Sequence, residues 1–310
     1  MDFWIMAIRI TFLSQTTTGI LGNFFLMFYY VVLYYRACTL KPTDLILMNL
    51  MTANAIIILS SGVPHTLAAF GLKQFVSDSG CLFLLNIQSL GRSVSIGTTC
   101  LLSVFQAVTI QSRESCLKYN KVKSINPIGC FISLLWVFYM LIHFTFFLYS
   151  SIKLNSKNVT QKRDYGYCSI VGPEDISDSL YTSLVVCPEV FLSVLMARSS
   201  GSMIGILYRH KQRVQQIRST QSSSRMSPES RATQNILVLV STFLGFYTLS
   251  SVLRGCIAFF HNHNWWLVNI TRLTSLCFPS FGPIVLMNHH SIVYRLSFKW
   301  IRNKINLILL

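Results

Sequence analysis

The amino-acid sequence predicts an all-α membrane protein, a bundle of seven transmembrane helices with the N-terminus outside and the C-terminus in the cytosol. Of its 310 residues, 52% are hydrophobic and only 12% are charged, whereas soluble domains carry about 25% charged residues. Seven apolar stretches each supply the ~20 residues that a helix needs to cross a bilayer. They lie at residues 10–34, 45–70, 82–110, 128–149, 179–208, 236–260 and 265–287.

Positive charge falls on alternate sides of these stretches. Of the 26 Lys and Arg residues, 16 lie in the first, third and fifth loops and in the tail, and only six lie on the other side. Cytoplasmic loops carry the excess of Lys and Arg, so this asymmetry places the N-terminus outside and the tail in the cytosol. The net charge of +16 therefore predicts contact with inner-leaflet membrane lipid and no nucleic-acid partner.

The third and fifth stretches are the least uniformly apolar. The third contains Gln88 and Arg92, and the fifth contains Glu189 and Arg198. If either failed to cross the membrane, the basic loop 209–231 would lie outside, against the charge rule. Seven spans is therefore the consistent count.

Two cysteines and one sequon face the outside in this topology. Cys81 opens the third stretch and Cys168 lies in the outer loop after the fourth, so both meet an oxidising compartment and are the expected disulfide pair. Two free thiols are the alternative. Asn158 begins an N-glycosylation sequon in the same outer loop, whereas the sequon at Asn269 lies inside the seventh span, where we expect it to be unmodified. No metal-ligand spacing occurs, and we expect no metal or other cofactor.

Charged residues within the spans are costly unless paired, hydrated or near an end. Arg92 follows Cys81 by eleven residues, about 16 Å along a helix, and so lies near mid-depth. One interpretation is a partly cationic pocket for a small apolar ligand with a polar or anionic group. Its candidate residues are Gln88, Arg92, Glu189 and Arg254. The alternative is internal pairing, in which Glu189 neutralises Arg92 or Arg198.

Other classes of membrane protein are disfavoured by what the sequence lacks. A secondary transporter usually shows an inverted repeat with broken helices, and a channel needs a filter sequence or rings of charge. Neither pattern is present, and no catalytic motif occurs in any span. We therefore expect that the chain is not an enzyme.

Several segments resemble the vomeronasal type-1 (pheromone) receptors, which are G-protein-coupled receptors. The resemblance covers nearly the whole chain in order, and the third-helix segment argues against a bitter-taste-type receptor. The matching segments are GRSVSIGTTCLLSVFQ at residues 91–106, LSSGVP at 59–64, GYCS at 166–169, SGSM at 200–203, SPESRAT at 227–233, ILVLVSTF at 236–243 and CFP at 277–279.

The resemblance implies that residues 1–310 form a single seven-transmembrane receptor domain in the plasma membrane of chemosensory neurons. Such a receptor detects pheromone-like small molecules and activates a heterotrimeric, inhibitory-class G protein. A bitter-taste-type receptor and, in a different class, a small-molecule transporter or channel are the alternative functions. The candidate residues facing the G protein are Arg113, Lys118, Arg209, Lys211, Arg213 and Arg231.

Some activation motifs common in rhodopsin-like receptors are replaced in this sequence. Asn54 stands where many relatives carry a sodium-binding Asp, and the third helix has Phe105-Gln106-Ala107 in place of an acidic-Arg-aromatic triplet. An ionic-lock account of activation cannot be carried over. We expect instead that an outer ligand biases a two-state bundle by its differential affinity, opening an inner cleft bordered by helices three, five and six.

Overall fold

A computed structural model describes residues 2–37, 41–72, 74–114, 126–154, 161–164, 167–172, 182–217, 228–260 and 265–289. Within these residues the chain is almost entirely helical. The helices are α1 (Asp2–Ala37), α2 (Pro42–Ile57), α3 (Val63–Ala69), α4 (Asp78–Glu114), α5 (Asn126–Leu154), α6 (Cys187–Ile217), α7 (Pro228–Phe260) and α8 (Trp265–His289). A π-helical turn, Ile58–Gly62, joins α2 to α3, and another, Thr182–Val186, precedes α6.

The seven predicted spans correspond in order to α1, the continuous α2–α3 pair, α4, α5, α6, α7 and α8. Most helices begin or end a few residues outside the predicted limits, because a helix continues into the polar residues at the membrane surface. The fifth span differs most from its predicted limits. Its predicted start at residue 179 lies outside the described residues, and α6 begins at Cys187 after the π-helical turn.

Five of the crossings are long and apolar enough to span a membrane by length and composition alone: Phe3–Tyr35, Pro42–Ala69, Pro127–Ile152, Leu184–Ile206 and Trp266–Met287. The third and sixth crossings, α4 and α7, fall short of that criterion. The apolar part of α7 is shorter, Leu237–Leu253. α4 packs against α2, α5, α6 and α7, so most of its many polar side chains face other helices instead of lipid.

Exposed aromatic side chains mark two levels along α1. Trp4 packs edge-to-face on Trp266, with ring centroids 5.3 Å apart, and the other end of the helix exposes Tyr34 and Tyr35. Trp and Tyr are enriched at membrane–water interfaces. The 30 residues from Trp4 to Tyr34 correspond to about 45 Å of helix, which matches a bilayer with its headgroups.

Gly91 lies where α4 packs closely on α2. A Cβ added to Gly91 would lie 3.1 Å from the carbonyl oxygen of Ala53 and 3.0 Å from Cγ1 of Ile57. The backbone oxygen has little freedom to move. Small residues permit such approaches between membrane helices.

We therefore expect Gly91→Ala to lower thermal stability. Overpacking costs about 1–3 kcal/mol, which exceeds the roughly 0.5–1 kcal/mol by which alanine favours a helix over glycine. The matched control is Gly201→Ala on α6, since a Cβ there meets nothing within 4 Å, and this change should leave the melting temperature equal or higher. Melting curves of the purified variants in detergent measure both effects. Equal melting temperatures for the two would contradict the packing argument.

The N-terminal end of α4 is tied to a short β-hairpin that was not predicted. β1 (Gln161–Asp164) pairs antiparallel with β2 (Ser169–Gly172). A disulfide joins Cys81 to Cys168, as the sequence predicts, with their Cα atoms 5.8 Å apart. The neighbouring Tyr167 is fully buried, and its carbonyl oxygen accepts a hydrogen bond from the backbone N–H of Val76. The hairpin is thus anchored to α4 covalently and by packing.

Candidate ligand-binding cavity

A cavity of about 460 Å³, its open mouth included, lies between α2, α4, α7 and α8. The lining residues are Ile57 from α2, Gln88, Arg92 and Ser95 from α4, Phe243, Phe246, Tyr247 and Ser250 from α7, and Thr274, Ser275, Phe278 and Pro279 from α8.

Aromatic rings form the apolar part of the wall. Phe243 and Tyr247 lie one helical turn apart on α7, with nearly parallel rings whose centroids are 6.0 Å apart. The ring of Phe278 on α8 meets Phe243 edge-to-face at 4.5 Å. Such edge-to-face pairs are favoured by the charge distribution of the rings. They fix the shape of the wall and present a hydrophobic surface to any bound molecule.

Arg92 supplies the cationic group of the wall. Its guanidinium carbon lies 4.8 Å from the centre of the Tyr247 ring, a cation–π contact, and its Nη2 donates to the hydroxyl of Ser251 at 3.3 Å. A guanidinium has five N–H donors, so these two contacts leave donors for a ligand. Gln88 lies one turn before Arg92 on the same face of α4 and also lines the cavity. Two of the four predicted pocket residues thus meet in one wall.

Glu189 lies close to this wall but is not among its lining residues. The side chain is 6% exposed. Its Oε1 accepts a hydrogen bond from Ser93 at 2.9 Å, and its Oε2 accepts one from the Tyr247 hydroxyl at 2.9 Å. Among the described residues it forms no ion pair with Arg92 or Arg198, so the predicted internal pairing is not found. Arg198 is instead exposed on α6.

A histidine extends this polar cluster to α5. Nε2 of His143 lies 3.2 Å from Oγ of Ser93, and both side chains are buried. The single hydroxyl proton of Ser93 is used in its bond to Glu189, so a hydrogen bond from His143 requires the proton on Nε2. The cluster therefore connects α4, α5, α6 and α7 through hydrogen bonds.

The remaining predicted site residues lie largely outside the part of the chain that the structure describes. Of the G-protein-facing candidates, Arg209 is exposed on α6. Outside the described residues are Asn158, Lys118 and the side chains of Arg254, Arg113, Lys211, Arg213 and Arg231.

Sequence reasoning missed the residues of α7 that connect the cavity to Glu189. Tyr247 and Ser251 are four residues apart and so share one face of the helix, a spacing that could have singled them out. Ring-bearing residues such as Phe243 and Phe278 gave no comparable signal, because aromatic residues within a span usually serve packing. His143 was likewise not singled out.

A bundle of helical crossings, four of which line a cavity with a guanidinium and several aromatic rings, is the architecture of a helical membrane protein with a small-molecule cavity. The sequence profile of the vomeronasal organ pheromone receptor family matches residues 6–299. The chain therefore belongs to this family, whose members include the vomeronasal type-1 receptors.

Individual relatives agree with this assignment over most of their length. The chain is 45% identical over 290 residues to vomeronasal type-1 receptor 4 of Homo sapiens, an alignment that covers 94% of this chain and 96% of that protein. It is 45% identical over 292 residues to vomeronasal type-1 receptor 3 of Homo sapiens, with 94% and 93% covered. Vomeronasal type-1 receptor 90 of Rattus norvegicus is 30% identical over 278 residues, with 89% and 88% covered.

Family membership confirms the resemblance found in the sequence. The chain is a multi-pass membrane protein of a chemosensory, G-protein-coupled type, and its relatives are receptors, not enzymes. The sequence left two alternatives, a bitter-taste-type receptor and a small-molecule transporter or channel. The family match supports neither of them.

Proposed function

We propose that this receptor binds a small, mainly apolar, pheromone-like molecule in the cavity between α2, α4, α7 and α8 and then activates an inhibitory-class heterotrimeric G protein. It does so as a single receptor domain in the plasma membrane of chemosensory neurons, with its N-terminus outside and its tail in the cytosol. In this orientation Asn158 lies outside and carries a glycan. The family assignment supports the class of activity, and the cavity supports the class of ligand.

We infer the class of ligand from the guanidinium of Arg92, which lies in a cavity wall that is otherwise aromatic and hydroxyl-bearing. No acidic side chain lines the cavity within the described residues, which disfavours a cationic ligand. Hydrogen bonds from a guanidinium to an anionic or strongly accepting oxygen are stronger than neutral ones. The favoured ligand therefore has an apolar body for the rings of Phe243 and Phe278, and an acceptor group for Arg92.

The proposed G-protein surface is the basic cytosolic side of the receptor. Arg209 is exposed at the inner end of α6, and the other candidates are Arg113, Lys118, Lys211, Arg213 and Arg231. Their positive charge suits an acidic partner and steers its approach. Binding of anionic inner-leaflet lipid by the same charges is the alternative.

Expression of this chain alone in cultured cells, with volatile and steroid-like molecules as stimuli, tests the proposed function. We expect G-protein activation by molecules with an apolar body and an acceptor group, and none in cells with empty vector. Replacing Arg209, Lys211 and Arg213 together by Glu should reduce the response at least about tenfold at equal surface expression, because several charges are reversed. The matched control reverses three outer charges: Lys153, Lys162 and Arg163.

The outcomes separate the alternatives. If the cytosolic triple variant signals like the parent at full surface expression, these charges do not couple to the G protein. A response that is lost only in the cytosolic variant supports the proposed surface. Failure of every stimulus to activate any G protein, with the receptor present at the cell surface, would contradict the proposed function itself.

A further inference from the structure

Tyr247 belongs to the cavity wall on one side and to the buried Glu189 cluster on the other. Its ring lies beside the guanidinium of Arg92, 4.8 Å from the guanidinium carbon. Its hydroxyl donates to Oε2 of Glu189 at 2.9 Å. Arg92 is on α4, Tyr247 on α7 and Glu189 on α6, so one side chain connects a ligand-facing group to the first turn of α6.

Loss of the hydrogen bond from Tyr247 to Glu189 is expected to cost much free energy, because the carboxylate is buried. The carboxylate is 6% exposed, and a buried charge depends on its hydrogen-bond donors for stability. Its described donors are two hydroxyls, those of Ser93 and Tyr247. Loss of a hydrogen bond to a charged group changes an equilibrium by roughly tenfold or more.

The same bond crosses the less extensive of the two junctions that α7 makes with the helices before and after it in the chain. α7 packs more extensively on α8 than on α6, so an individual polar contact has more weight at the α6–α7 junction. Arg92 also holds α7 from the other side, since both of its contacts, the Tyr247 ring and the Ser251 hydroxyl, belong to α7. Separation of α7 from α6 at this level must break the bond to Glu189.

We propose that the Tyr247–Glu189 hydrogen bond is a latch that holds α7 against α6 in the unliganded receptor and is released when a ligand engages Arg92. This inference rests on the proposed function, which places the ligand in the cavity that Arg92 lines. A ligand acceptor competes with Tyr247 and Ser251 for the guanidinium. Once the guanidinium turns to the ligand, α7 loses both contacts to Arg92, and the bond to Glu189 no longer suffices to keep the helices together.

The latch makes Tyr247 and Glu189 positioning residues whose effects are interdependent. Tyr247→Phe removes the hydroxyl and keeps the ring beside Arg92. Glu189→Gln keeps the size of the side chain and removes the charge that strengthens the bond. Each change alone should open the α6–α7 junction without ligand, and the double variant should open it little further, because both act on the same hydrogen bond.

The test measures the distance between α6 and α7 in the purified, full-length receptor in phosphatidylcholine nanodiscs, away from the hydrogen bond itself. Spin labels on cysteines introduced at Tyr208 of α6 and Leu237 of α7 report the distance between the two helices. The background variant has serine at every cysteine outside the Cys81–Cys168 disulfide. We expect Tyr247→Phe to increase the population of the longer distance about tenfold relative to the background.

The matched control is Thr248→Val, which removes a hydroxyl from the next residue of α7. That hydroxyl is bonded within its own helix, to the carbonyl oxygen of Leu244 at 2.9 Å, so the distances should stay unchanged. Unchanged distances in Tyr247→Phe, or strictly additive effects in the double variant, would overturn the latch. Basal G-protein activation is recorded in parallel: a longer distance without activation supports the latch and counts against the proposed coupling instead.

Discussion

Replacing Arg92 by alanine is expected to lower the potency of activating ligands about a hundredfold. The change removes the cationic donor of the cavity wall, and two charge-assisted hydrogen bonds of about 1.5 kcal/mol each correspond to a factor of roughly a hundred in affinity. Concentration–response curves of G-protein activation, for each molecule that activates the parent receptor, measure the effect above the basal signal. The latch predicts that this basal signal rises, because alanine also removes both contacts of Arg92 with α7. The variant also removes a charge from mid-membrane, so we expect no loss of surface expression.

Two further variants separate the ligand contact from other roles of Arg92. Arg92→Lys keeps the charge and loses the planar fork of donors, so its potency should lie between those of alanine and the parent. Ser251→Ala removes the described hydrogen-bond partner of Arg92 and keeps the guanidinium, so potency should change much less than with alanine. Full potency of Arg92→Ala for all active ligands would reject Arg92 as a ligand contact.

Loss of the outer disulfide is expected to remove most of the receptor from the cell surface. Cys81→Ser or Cys168→Ser opens a bridge between residues 87 apart in sequence, and loss of a native disulfide typically costs about 2–5 kcal/mol. The two half-cystines and Tyr167 are all fully buried in one small cluster, so packing of the hairpin on α4 is lost with the bond. We expect surface staining to fall severalfold in either variant.

The control for the disulfide is Cys130→Ser, which changes a free and exposed cysteine of α5 in the same way. Its surface level should equal that of the parent. The double variant Cys81→Ser/Cys168→Ser should resemble the single ones, because the bond is already absent in each. Parental surface levels in both single variants would show that the bridge is dispensable for folding.

The spans were predictable because lipid imposes a simple requirement on the chain. A crossing without water must satisfy its backbone internally and expose apolar side chains over about 20 residues, and such stretches can be identified by eye. The π-helical turn Ile58–Gly62 and the β1–β2 hairpin were not predictable in this way. The hairpin depends on contacts with distant residues, namely the packing of Tyr167 and the disulfide, and local composition does not encode these.

The candidate site was predictable only in part, for a related physical reason. Arg92 is a charged residue in an apolar stretch, and such a residue either binds a ligand or pairs with another side chain. The partner of Glu189 was not foreseeable, because a buried carboxylate can be satisfied by hydroxyls as well as by a cation. Tyr247 serves this role from α7, and only its four-residue spacing from Ser251 sets it apart in the sequence from a packing residue.

The polarity of α4 has a consequence for how the chain is made. An arginine at the centre of a helix costs about 2.5–3.5 kcal/mol when the translocon releases that helix into the bilayer alone, and α4 is not among the segments that are apolar enough to cross unaided. Its stable insertion therefore depends on earlier and later helices that shield Arg92 and the neighbouring serines during synthesis. The groups that we propose to hold a polar ligand atom are thus the ones that make the biogenesis of the receptor cooperative.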